Sequence, residues 1–297
     1  MRSRALDELT EETLDILSRA GFIAREINYP KEERSVDIVG GSGDRKIILK
    51  VVYNSARVGR REIDDLKKLS ATYKASVLIV SEKYWRSEME DDVVYVRNDI
   101  YVVNKNLLRN YFLRNNKPLI INLRGTYLLR IDNKSFARRR IELGLSRSEV
   151  ANKLNVSKEA IYQYETKRSM ASIQTAIKIA NLMGEDVFEE VDLMNESVFD
   201  QPEVPVENKV LNKLAEAVSI KRLKVFEFST TPVDGALVKD DKSVSIVQLA
   251  GYSGEERELK TENAVKMSSI TKSAPIFIDD EKKIEKLKYA VKEIFGE

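Results

Sequence analysis

Between Ser135 and Val191 the chain is interrupted at intervals too short for anything but small helices joined by tight turns. Apolar residues recur there at helical spacing, and Gly144, Asn155 and Ser157 break the pattern. Ser135 is the expected cap of a first helix with Phe136, Ala137, Ile141 and Leu143 facing inward, and Gly144 stands where a left-handed residue ends such a helix. Ser146 with Glu149 three positions on is a capping box, opening a second helix that buries Val150, Ala151 and Leu154. Asn155 tolerates the left-handed conformation a tight turn needs, and Val156 anchors that turn from inside. Ser157 caps a third helix, with Ile161 and Tyr164 directed inward and Lys158, Glu159, Tyr162 and Gln163 outward. A fourth helix (SIQTAIKIANLMG) and a short fifth (EDVFEEV) complete an all-α, five-helix domain over 135–194 with a helix-turn-helix at its centre.

From Arg140 to Glu165 the string RIELGLSRSEVANKLNVSKEAIYQYE resembles, without a gap, the phage-repressor (Cro-like, or XRE) class of helix-turn-helix. The resemblance implies double-stranded DNA as partner, with the third helix, residues 157–166, in the major groove. By the same resemblance Lys158, Glu159 and Gln163 read bases, Arg147 lies near phosphate and bases, and Arg140 pairs with Glu165 as a structural tie. Ser157, Tyr162, Lys167 and Arg168 on or beside that helix, with Arg138 and Arg139 on the first, complete the expected DNA-contacting set. Where the class often carries glycine after the third helix, this chain has Lys167. Residues 134–170 hold nine basic against four acidic side chains, and 105–134 hold seven against one, while the whole chain is only +2. Phosphate affinity needs such a local excess.

Histidine and cysteine are both absent, which removes Ser-His-Asp and Cys-His catalysis, the usual zinc ligands and any disulfide framework. A hydrophobic content of 42% with 33% charged residues describes a globular chain. No apolar run approaches the ~20 residues of a membrane span, and no signal peptide opens the sequence. The expectation is a cytoplasmic, nucleoid-associated protein that binds no membrane and needs no cofactor.

Residues 1–115 read as helix, three strands, helix, strand and a closing helix. This order, with Asp37 in the second strand and Lys50 in the third, resembles the restriction-endonuclease-like PD-(D/E)XK fold. That chemistry needs two carboxylates on adjacent strands around Mg²⁺ and a lysine beside them. Ile48 occupies the place of the second carboxylate, so Asp37 and Lys50 are expected to be vestigial; Glu8, Glu11 or Glu12 on the first helix could supply a substitute ligand. A β-hairpin turning at Arg124-Gly125 is expected over 116–134, and an acidic linker over 195–207 that phosphate would repel. Residues 208–297 repeat the order of the first domain. LSATYKASVLIVSEK aligns ungapped with MSSITKSAPIFIDDE, Asp234 stands near the place of Asp37, and Gln248 and Ile246 near those of Lys50 and Ile48.

The expected fold class is therefore mixed: an α/β nuclease-like domain, an all-α five-helix helix-turn-helix domain preceded by a β-hairpin, and a second α/β nuclease-like domain. The arrangement is similar to a family of archaeal HTH-type transcriptional regulators. It implies a sequence-specific DNA-binding regulator, acting as a homodimer because one short reader covers too little DNA, and not an enzyme. The alternatives are a nuclease targeted by the helix-turn-helix and an architectural chromatin protein without sequence preference.

Overall fold

The computed structural model describes residues 4–195, 199 and 205–297. The chain divides into two compact units, one joining everything up to Ser87 with everything from Leu193 onward, the other running from Glu88 to Asp192.

The first unit opens with α1 (Arg4–Arg19), which buries Leu9, Ile16 and Leu17 and ends at Gly21 in the left-handed region. Strands β1 (Ile23–Glu26), β2 (Ile38–Ser42) and β3 (Arg45–Asn54) form an antiparallel meander. Helix α2 (Arg60–Tyr73) crosses over to β4 (Ser76–Tyr84), which lies parallel to β3. A parallel neighbour requires such a crossover. Its partner strand reads VLIV because both faces are covered, and Val77, Leu78, Ile79 and Val80 are all fully buried.

The second unit contains β5 (Val93–Arg97), β6 (Ile100–Val103), α3 (Lys105–Arg114), β7 (Ile120–Leu123) and β8 (Thr126–Ile131). The β7–β8 hairpin turns at Arg124 and Gly125, both at positive φ, as a two-residue turn matched to strand twist demands. It is no free connector: β7 pairs in parallel with β5, Val93 opposite Ile120. The seam drawn by compactness therefore precedes β5, whereas the sequence placed it at 115. After the hairpin come α4 (Asn133–Glu142), α5 (Arg147–Leu154), α6 (Lys158–Thr166), β9 (Ser169–Ser172), α7 (Ile173–Met183) and the two-residue β10 (Phe188–Glu189).

The reader is thus not all-α. Strands β9 and β10 both pair with β8, so the hairpin and the helices share one core. The expected fifth helix reduces to a single 3-10 turn, Glu185–Val187. Gly184, at φ 94° and ψ 168°, stops the helical path, and Phe188 is drawn onto the sheet opposite Ile131.

The chain then returns to the first unit; part of the acidic stretch expected as a linker, 196–198 and 200–204, lies outside the described residues. Helix α8 (Lys209–Val218), strands β11 (Lys224–Glu227), β12 (Gly235–Lys239) and β13 (Lys242–Gln248), α9 (Gly254–Thr271), β14 (Ala274–Ile278) and α10 (Ile284–Phe295) follow. Their pairing copies the first lobe: an antiparallel meander, then a parallel β13–β14 pair through α9. Ile38 faces Leu49 as Gly235 faces Ile246. This register corrects the ungapped alignment by one residue in the strands. Lys50 corresponds to Val247, Gln248 to Val51, and Ser245 to Ile48.

The two lobes dock with reciprocal contacts. Asp65 on α2 is 1% exposed and accepts from the backbone N–H of Ser229 (3.0 Å) and Thr230 (2.7 Å) in the β11–β12 loop. Asn263, at the matching position of α9, accepts from Asn28 N–H (2.8 Å) in the β1–β2 loop. Lys272, the left-handed C-cap of α9, pairs with Asp44, and Lys74, the left-handed C-cap of α2, pairs with Asp241. Burial raises the Asp65 carboxyl above its ordinary range, although hydroxyl and amide donors oppose the shift.

Candidate nucleic-acid interface

The helix-turn-helix is assembled by caps the sequence spells out. Ser146 Oγ accepts from Glu149 N–H while Glu149 accepts from Ser146 N–H (2.8 Å), closing the capping box. These bonds hold the Glu149 carboxyl below its usual range. Asn155 ends α5 at φ 56°, and Ser157 Oγ accepts from Ala160 N–H to start α6. The first helix departs from expectation. Asp132 caps α4, accepting from Ser135 N–H (2.6 Å), so α4 begins three residues earlier. Phe136 alone of its expected inward face is buried, with Ile141 65% and Leu143 45% exposed.

Beneath α5 and α6, Phe136, Val150, Leu154, Ile161 and Tyr164 pack with Ile179 and Met183 of α7 in one cluster, the Phe136 and Tyr164 rings edge to face at 5.7 Å. At about 2–5 kcal/mol for each large side chain truncated, this core fixes which face of α6 turns outward. That face carries Ser157, Lys158, Glu159, Tyr162 and Gln163, all exposed, and the side chains of Lys158, Glu159 and Gln163 hold no hydrogen bond or ion pair among the described residues. Helix α6 ends with Lys167 in extended backbone at φ −130°, leading straight into β9. A glycine is unnecessary because the chain leaves the helix by the β region.

The arginines divide. Arg140 Nε donates to one oxygen of Glu165 and Arg147 Nε to the other (2.6 Å), on a carboxylate side chain only 3% exposed. Burial alone would raise the Glu165 carboxyl, but the two guanidiniums prevail and hold it below its ordinary range. Arg147 also lies over the Tyr162 ring at 5.4 Å. Arg139 Nε donates to Met183 O at the end of α7 (2.7 Å) and its Nη1 to Glu142 (3.1 Å). The positions expected at phosphate are thus engaged within the protein at Arg139 and Arg147. Arg138 and Arg168 stay 63% exposed, with Arg138 3.8 Å from Glu142 and 3.9 Å from Asp186, and Arg168 3.9 Å from Glu189.

In the first lobe Asp37 and Lys50 do meet, inside a closed set of ion pairs. Asp37 accepts from Arg34 Nε (2.7 Å) and Val51 N–H (2.8 Å), and lies 3.4 Å from Lys50 Nζ, which reaches Glu62 at 2.8 Å. Ile48 is fully buried. Two cations already neutralise Asp37 and an apolar side chain replaces the second carboxylate, so the residues do not fit a hard divalent cation. Among the described residues no cluster of three carboxylates is shaped for a metal. In the second lobe Asp234 accepts from Gln248 N–H (2.7 Å) and from Lys260 Nζ (2.9 Å). Sequence reasoning missed Arg34, Glu62 and Lys260, although its ungapped alignment of the repeats, carried back along the helix, sets Lys260 on Glu62.

A capped three-helix reader on a small sheet and a nuclease-like lobe are features of a chain that carries a helix-turn-helix domain and a PD-(D/E)XK domain. Residues 6–118 match the PD-(D/E)XK superfamily domain and 136–189 the helix-turn-helix family model. The chain is 27% identical over 285 residues to a Pyrococcus abyssi protein named "Putative HTH-type transcriptional regulatory protein", covering 94% of this chain and 88% of that one. It is 27% identical to an Archaeoglobus fulgidus protein of the same description, covering 96% and 92%, and 28% identical to one from Sulfurisphaera tokodaii, covering 93% and 92%. No solved structure matches the chain. Among the described residues no helix is long and apolar enough to cross a membrane.

Proposed function

We propose that the protein is a sequence-specific, double-stranded DNA-binding transcription regulator that inserts α6 in the major groove. The observation that carries this reading is the division of α6: Ile161 and Tyr164 are buried, Glu165 is locked by two arginines, and Lys158, Glu159 and Gln163 are presented unpaired on the opposite face. Lysine suits guanine edges and glutamine adenine edges. Ser157 and Tyr162 flank these readers, and Lys167, Arg168 and Arg138 supply phosphate contacts, while Arg139 and Arg147 orient helices rather than touch DNA. Residues 1–115 and 208–297, before and after the reader at 135–194 in the chain, act as nuclease-derived scaffold lobes. The protein works as a homodimer on two half-sites about one helical turn apart. Selection of bound sequences from a random duplex library tests the reading: enrichment of a two-fold motif supports it, and uniform recovery of all sequences favours the architectural alternative.

The nuclease-like lobe performs no hydrolysis in this reading, because Asp37 is held by Arg34 and Lys50, Ile48 stands at the strand position of the second carboxylate, and the nearby Glu62 is itself bound to Lys50. Incubation of supercoiled, linear and single-stranded DNA with Mg²⁺ or Mn²⁺ leaves the substrates intact. Nicking that disappears in Asp37→Ala would support a targeted nuclease instead.

A further inference from the structure

Within the second unit a cavity of about 430 Å³ opens between α3, the β7–β8 hairpin and α7. Its size falls in the ~300–1,000 Å³ range of small-ligand sites. The floor is apolar, with Leu107, Ile120, Leu129 and Phe188 among its walls. On α7 the alanines at 176 and 180, one turn apart, leave the room that larger side chains would fill, and Ile177 stands 57% exposed beside them. The polar groups lining it are strongly biased in sign. Asp91, Asp92 and Glu185 border the cavity, whereas its one lysine, Lys117, is already bound to Asp192 at 2.9 Å. Asp91 is held in place by the side-chain amides of Asn104 (2.7 Å) and Asn106 (3.1 Å), and the carboxylates of Asp92 and Glu185 carry no ion pair. This acidic rim sits in a unit that is otherwise basic around the reader.

We infer that the cavity is a binding site for a small hydrophobic cation, an alkyl or aryl amine whose hydrocarbon part lies against Ala176, Ala180 and Leu107 and whose ammonium meets the Asp92 and Glu185 carboxylates. An anionic ligand meets three carboxylates, and a neutral one leaves those of Asp92 and Glu185 to water. The wall contributed by α7 links the site to the reader. The adjoining face of α7 buries Ile179 and Met183 in the reader core, in one cluster with Ala176. Lys178 Nζ donates to Leu154 O at the end of α5 (3.3 Å), and Arg139 of α4 donates to Met183 O at the end of α7. A ligand seated against α7 therefore bears on the helix that fastens both scaffold helices of the helix-turn-helix. The binding site stands on the cavity alone; its regulatory consequence rests on the DNA-binding reading.

The test uses the full chain and three probes of one length below their micelle-forming concentrations: octylammonium, octanol and octanoate. Calorimetric titration is expected to show one octylammonium site, bound several-fold more tightly than octanol and more tightly still than octanoate, since each close charge pair at an exposed rim contributes up to about fivefold. Asp92→Asn with Glu185→Gln, both at the surface, is expected to erase the preference for the amine while octanol binding persists. Ala180→Leu fills the cavity and is expected to remove binding of all three; if that variant unfolds, Ala176→Val serves. Hydrogen exchange of α5 and α6 amides is expected to slow when octylammonium is added. Equal affinity for the three probes, amine binding unchanged in the charge variant, or binding unaffected in a folded filled variant would overturn the proposal. Amine binding without any effect on selected duplex DNA would retain the site and count against the DNA-binding reading of its consequence.

Discussion

Lys50 and Lys260 stand on non-equivalent elements of two equivalent lobes, one on a strand and one on a helix, yet each sets its ammonium against the corresponding aspartate, Asp37 or Asp234. Where the first lobe has Lys50 and Glu62, the second has Val247 and Lys260, so the cation has moved from sheet to helix while the anion kept its place. Lys260 is 1% exposed and lies 4.2 Å from the Tyr252 ring centroid, a second source of favourable field. Lys260→Met leaves a carboxylate without its cation and is expected to cost about 3 kcal/mol. Adding Asp234→Asn should restore much of that loss, because the uncompensated charge is then gone. Urea unfolding of the single and double variants reads the difference; strictly additive losses would show the pair to be uncoupled.

Burial raises the Asp234 carboxyl above its ordinary range, outweighing Lys260 and the Gln248 amide. A raised folded-state value means that the native state binds the proton more tightly than the unfolded chain. This group's contribution is full below the ordinary value of about 4 and declines as pH rises through the displaced one. Asp234→Asn should flatten that part of the stability curve, measured by unfolding between acid and neutral pH.

Glu165 works in the opposite sense. Its carboxyl is lowered against burial by Arg140 and Arg147, so its contribution is present above the ordinary glutamate value of about 4.3 and is lost as pH falls through the folded value. Glu165→Gln is expected to destabilise the reader by about 2–4 kcal/mol at neutral pH and to remove this acid limb. Fluorescence-detected melting across pH 3–7 distinguishes the two forms.

Gln163→Ala and Lys158→Ala should each weaken binding to the preferred duplex by about 1–3 kcal/mol and leave binding to random duplex nearly unchanged. Arg139→Ala should instead lower the melting temperature, through the lost bond to Met183 O, without reducing the salt dependence of binding by a phosphate. Anisotropy titrations at several salt concentrations separate these outcomes, and equal losses for Gln163→Ala on both duplexes would remove it from the set of base readers.

Asp65→Ala strips the β11–β12 loop of the acceptor for Ser229 and Thr230 N–H at a part-buried contact. A loss of about 2–4 kcal/mol is expected, with faster hydrogen exchange at the contact between the lobes. Asn263→Ala should do the same to the β1–β2 loop, as the reciprocal bond to Asn28 requires. Exchange that changes at only one of the two loops would break the pseudo-symmetry.

What the sequence alone determined was local. The capping box at Ser146 and Glu149, the left-handed turn at Asn155, the cap at Ser157 and the two-residue turn at Arg124-Gly125 are legible because each depends on residues within a few positions of one another. So is the helix, meander, helix, strand order of both lobes, which rests on period and punctuation. Tertiary structure decided what depended on partners far along the chain. Phe188 leaves the helical pattern because Ile131 offers a strand edge, and Ile141 stays in solvent because none of the described residues packs over α4 there. Arg139 and Arg147, which read locally as phosphate ligands, are claimed by Met183 and Glu165. Charge and spacing state what a side chain is able to bind; only the fold states which partner lies within 3 Å, and a partner inside the protein, already desolvated and fixed, outcompetes one that must be recruited from solution.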